Sequence, residues 1–129
     1  MTAYQKLQWL LLSRVAEFHQ VSPPAYDAEI VEKMFDELQE NDYDTFCDAK
    51  IEVRGGELGT GLPAPRSRYY ESTSVAAKLP DGTYIGWTYW YGGGKHAEPE
   101  SIDWMDAVYD VECTEVVEVV KKFSKKGRS

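Results

Sequence analysis

RYYESTSVAAKLPDGTYIGWTYWY, residues 68–91, joins two runs of alternating side chains at Pro80-Asp81-Gly82. Alternation of period two marks a pleated strand with two distinct faces. The first run predicts a strand over Arg68–Leu79, with Tyr69, Thr73, Val75, Ala77 and Leu79 on one face. Proline presets φ and glycine accepts a positive φ, so the three residues predict a turn and the runs pair as a hairpin. The second run, Thr83–Tyr91, puts Ile85, Trp87, Tyr89 and Tyr91 on one face and Tyr84, Thr88 and Trp90 on the other. Both faces carry aromatics, which predicts that something covers each side of the sheet.

Towards the N-terminus the period becomes helical. Thr2 and Gln5 have capping-box spacing, and Tyr4, Leu7, Leu11, Val15 and Phe18 recur at steps of three and four, widened by Trp9, Leu12 and Ala16, so a helix is expected over Ala3–His19. VSPPAYD (residues 21–27) ends it and starts a second, expected over Ala25–Glu40 with Ser22 or Asp27 as cap. After NDYD, Cys47, Ala49, Ile51 and Val53 alternate with Asp48, Lys50, Glu52 and Arg54, which predicts a one-sided strand. GGELGTGLPAPR, residues 55–66, predicts a long loop.

Towards the C-terminus, Pro99 opens a helical turn within EPESIDWM, and a last strand is expected from near Ala107. Beyond it two periods compete. Tyr109, Val111 and Cys113 alternate, while Val116, Val119, Val120 and Phe123 fit a helix; a strand with a bulge near Glu115 is the reading adopted. The expected architecture is α+β in one domain over residues 1–123: two N-terminal helices packed on a three- to four-stranded, mainly antiparallel sheet. Residues 124–129 are expected to form a basic flexible tail.

Composition excludes several functions. A net charge of −8, from 14 Lys and Arg against 22 Asp and Glu, opposes binding to free duplex nucleic acid. The longest apolar run, Trp9–Leu12, is too short for a membrane span, and no leader pattern opens the chain, so a cytoplasmic protein is expected. Cys47 and Cys113 form no metal-knuckle pattern and are expected as free thiols; a cross-strand bridge stays open if their segments pair.

The glycines after the hairpin invite comparison with phosphate loops. Tyr89 stands where a P-loop needs its first glycine and His96 follows Lys95, so that motif fails; Glu98 and Pro99 interrupt the dinucleotide pattern. What remains is a backbone nest around Gly93 with Lys95 beside it, or a sharp strand exit that needs positive φ. His96 with its neighbouring acids is the one candidate for acid–base chemistry, without a nucleophile or metal motif to serve. No cofactor and no metal site is implied. Tyr70, Tyr84 and Trp90 are expected on an open sheet face near Arg66 and Arg68, where they could stack on a base or anchor a protein. Acids form a third candidate: residues 27–57 hold eleven and residues 98–118 eight, a surface able to dock on a basic partner.

WTYWYGGGKHAEPESIDWM, residues 87–105, with LPDGTYIG before it, resembles a segment of small uncharacterised proteins of phages and mobile elements, over about residues 68–112. The resemblance carries no activity and no functional residue. It implies a context in which small acidic proteins bind and inhibit host machinery, including nucleases and defence systems, in the host cytoplasm. Three functions are therefore expected in order: a non-enzymatic protein that binds a host or partner protein, with homodimerisation open; a nucleotide-binding or sequestering protein using Trp90, Tyr70, Tyr84, Arg66, Arg68, Lys95, His96 and Gly93; and a hydrolase dependent on His96.

Overall fold

A computed structural model describes residues 1–117 and 119–127. In chain order they form α1 (Ala3–Phe18), α2 (Ala28–Asn41), α3 (Tyr43–Val53), β1 (Leu58–Gly59), β2 (Glu71–Lys78), β3 (Tyr84–Tyr91), a 3-10 turn (Pro99–Ser101) and β4 (Tyr109–Val111). The sheet is antiparallel throughout, in the order β1-β2-β3-β4. The α+β class and the N-terminal helices over the sheet stand; the number of helices does not.

The capping box forms as expected, with Gln5 N–H donating to Thr2 Oγ1 at 3.1 Å and Thr2 N–H to Gln5 Oε1 at 2.9 Å. At the other end of α1, Gln20 takes φ +58°, a position usually filled by glycine, and Val21 N–H closes back on Ala16 O at 2.9 Å. The second helix starts three residues later than expected. Asp27 caps it by accepting from Ile30 N–H at 3.1 Å, while Pro24 stays outside, its carbonyl accepting from Trp9 Nε1–H at 3.0 Å.

The expected strand over Cys47–Val53 is α3, a third helix. Phe46, Ala49 and Val53, at steps of three and four, are buried, and Ile51 is exposed; a strand would have buried Ile51 beside Ala49. Phe35 packs edge-on against Phe46 at 5.4 Å, and α1 touches both other helices. That packing, absent from the local sequence pattern, decides between the two periods.

The hairpin forms at the expected turn. Gly82 has φ +86°, and Leu79 N–H donates to Thr83 O at 2.8 Å. Register pairs Val75 with Trp87 and Ala77 with Ile85, so these four share the face under α1 and join Leu7, Leu11, Val31 and Phe35 in the core. Trp104, brought back by the segment after the 3-10 turn, lies 5.3 Å from Trp87 between ring centroids. Complete burial of Trp87, Leu7, Leu11 and Ile85 contributes about 1.5–3 kcal/mol for each side chain.

The opposite face is partly covered by irregular backbone. Ser74 Oγ donates to Pro63 O at 3.0 Å, Ser72 Oγ donates to Pro65 O, and the Tyr109 ring occupies the space that a side chain at Gly86 would need. β4 stops at Val111, which pairs with Tyr84, the first residue of β3. Beyond that point β3 offers no further backbone to pair with. The expected continuation with a bulge near Glu115 is therefore absent: residues 112–117 and 119–127 carry no regular structure. Glu118, and Arg128 and Ser129 of the expected flexible tail, lie outside the described residues.

Candidate functional site

At the end of the sheet remote from the hairpin turn, β2 begins at Glu71 and β3 ends at Tyr91, paired with each other. Arg54, just past α3, ties this end to the helices. Its guanidinium donates to Trp90 O at 2.7 Å and lies 4.9 Å from the Tyr89 ring centroid, while its own carbonyl accepts from Trp87 Nε1–H at 2.8 Å. The Tyr89 and Tyr91 rings stack at 5.4 Å with an interplanar angle of 16°.

Gly92 and Gly93, with φ of +73° and +96°, turn the chain out of β3 in the conformation a sharp strand exit needs. The Tyr70 ring lies against Gly93, where an added Cβ would stand 3.2 Å from Cδ1 and Cε1 and closer still to Ala97. Residues 66–70 therefore meet the bend at Tyr70, although none of residues 92–98 lines the groove beside it. Arg66, Ser67, Tyr70, Glu71, Ser72 and Tyr91 line an open groove of about 330 Å³. Tyr69 projects beside it, 73 % exposed, on a turn whose two N–H groups, from Tyr69 and Tyr70, both donate to Ser67 Oγ at 3.3 Å.

Not every candidate joins this end. Trp90 is there, opposite Ser72, partly buried. Tyr84 is not: it pairs with Lys78 at the hairpin end, six residues and about 20 Å along the strand. It lines a separate groove of about 320 Å³ with Leu58, Leu62, Val111 and Cys113, and partial burial with the nearby Cys113 thiol raises its hydroxyl pKa. Arg68 is exposed near the groove without lining it. Lys95 and His96 are exposed and make no hydrogen bond or ion pair among the described residues. The Glu71 carboxylate approaches the Gly92 side of the bend, 3.7 Å from where a Cβ would be, and its charge opposes an anion bound at the glycines.

The acids are distributed elsewhere. Glu29, Glu32, Asp36, Glu37 and Glu40 of α2 and Asp44, Asp48 and Glu52 of α3 point outward. Both cysteines are free. Among the described residues no group of three His, Cys, Asp or Glu side chains is placed to hold a metal ion, and no helix is long and apolar enough to cross a membrane.

Sequence reasoning missed two features. Arg54 was placed as an outward residue of a strand, and its role depends on two backbone acceptors distant in sequence. The last turn of α1 also opens between two grooves that share His19, an arrangement that requires a third helix. Compared with protein-family models, with curated proteins and with solved structures, the chain finds no match.

Proposed function

We propose that this chain is a non-enzymatic binding protein that engages a partner protein through the aromatic end of its sheet and inhibits it by occupancy. The observation supporting this reading is the composition of that end: Arg66, Tyr70 and Tyr91 line one open groove, the exposed Tyr69 stands beside it, and the partly buried Trp90 belongs to the same end of the hairpin. Tyr, Trp and Arg are the residues that dominate binding energy at protein interfaces, because they offer large area at low entropic cost with a polar tip. The acidic outer faces of α2 and α3 would steer approach by a partner of positive charge. The resemblance to phage and mobile-element segments makes host machinery the first class of partner to try, with the host cytoplasm as the place of action.

Tyr69→Ala and Tyr70→Ala test the reading. Each is expected to weaken capture of a reconstituted partner by about 2 kcal/mol, roughly thirtyfold, while Tyr84→Ala leaves it unchanged. Equal capture by all three variants contradicts it.

One observation favours a second reading. Arg66, Tyr70 and Tyr91 meet in a groove of nucleotide size, so a base could stack on tyrosine with its phosphate on the guanidinium. Glu71 in the same groove opposes this. Stabilisation by a nucleotide of several degrees, lost in Tyr70→Ala and Arg66→Ala, would establish that reading in place of the first.

A further inference from the structure

The C-terminal segment leaves β4 and carries its apolar residues into solvent: Val117 and Val119 are each 91 % exposed and Phe123 90 %. Val116, Val119, Val120 and Phe123 have the spacing of one helix stripe. Lys121, Lys122, Lys125 and Lys126 follow or interleave, and the last nine residues hold five of the chain's fourteen cations and no acid. Apolar side chains left in water at this density call for a cover.

The last turn of α1 offers the complementary surface. One groove, about 520 Å³, runs between α1 and α3 beside Phe18 and Ile51, with Asp48 and Glu52 on its wall. The other, about 350 Å³, runs between α1 and α2 along Val15, Val21 and Met34, with Glu37 and Asp42. His19 lines both, and no lysine or arginine lines either. Phe18, Val21, Met34 and Ile51 are all exposed there.

We propose that the chain forms a homodimer by tail exchange, in which the apolar and basic C-terminal segment, residues 119–126, of one copy docks in the acidic grooves at the end of α1 in a second copy. Charge complementarity selects this occupant: four lysines meet four carboxylates while valines and phenylalanine meet an apolar floor. The geometry favours a second copy over the same chain. In its own copy no described residue after Val111 lines either groove, and Val117, Val119 and Phe123 stand in water, so the grooves are left open to the tail of another copy. Reciprocal exchange places both tails in both grooves and closes the assembly as a two-fold dimer.

Sedimentation equilibrium on the full chain between about 1 and about 100 μM tests this by mass action. The expected result is a monomer–dimer equilibrium that disappears when the chain ends at Thr114 and whose Kd rises about tenfold or more in Phe123→Asp. A tail variant (Lys121→Glu, Lys122→Glu, Lys125→Glu) and a groove variant (Glu37→Lys, Asp42→Lys, Asp48→Lys) should each be monomeric alone and form a heterodimer when mixed, which excludes misfolding as the cause. A full chain that stays monomeric, including one whose tail is protected within its own copy, overturns the proposal, as does a dimer that survives the truncation. Tyr70→Ala leaves the dimer unchanged, so loss of partner binding at the aromatic end is read separately.

Discussion

Arg54 shows at the scale of one residue how the candidate site is held. Its charge-assisted bond to Trp90 O contributes about 1.5–3 kcal/mol and fixes the last turn of the helical layer on the end of β3. Nothing in the local sequence marks it, because its acceptor is a backbone carbonyl 36 residues away. Gly92 and Gly93 were legible, since a strand that must leave its sheet sharply needs positive φ and says so in its composition. A second tether, Tyr26 Oη donating to Asp81 Oδ2 at 3.1 Å, links the helix connection to the hairpin turn. Burial, reinforced by the Asp81 hydrogen bond, raises the Tyr26 pKa from 10.0 to about 12. A raised folded-state pKa stabilises the fold below the unfolded value and is lost as pH rises through the folded one. Urea stability of the wild type should therefore fall further between pH 10 and 12 than that of Tyr26→Phe; parallel curves would remove Tyr26 from the alkaline transition.

At the scale of elements, α3 was misread for a physical reason. In residues 43–53 the period-two set and the period-3.6 set share Ala49 and Val53, and the tie is broken by Phe46 and Ile51. Phe46 finds Phe35 across the helix pair, and Ile51 is left in water. Ile51→Ser is expected to change stability by no more than about 0.5 kcal/mol, as an exposed position, whereas Ala49→Leu overpacks the helix contact by about 1–3 kcal/mol. Chemical denaturation of both variants checks this, and a large loss in Ile51→Ser would restore the strand. The hairpin was readable because turn chemistry and alternation agree over 24 residues, 68–91. The end of β4 was not, because strand length depends on what the neighbour offers for pairing.

At the scale of the molecule, the α+β class followed from helical periods preceding alternating ones, and the placement of α1 over the hairpin followed from the apolar stripes. The site was legible only in part. Shared strand face suggested that Tyr70, Tyr84 and Trp90 act together, but register separates Tyr84 from the others by most of the strand. Acids and aromatics occupy different parts: the acids cover the outside of α2 and α3, and Tyr69, Tyr70, Trp90 and Tyr91 gather where β2 begins and β3 ends. The two proposals use different parts of the molecule: partner recognition at the aromatic end, and tail docking at the end of α1. Site-specific photo-crosslinking separates them most directly. A photoreactive side chain at Tyr69 should yield a covalent adduct with a partner protein, and the same group at Thr83, on the hairpin turn, should yield none. An adduct of equal yield at Thr83, or none at Tyr69 under conditions where the partner is retained, would contradict the aromatic end as the recognition surface.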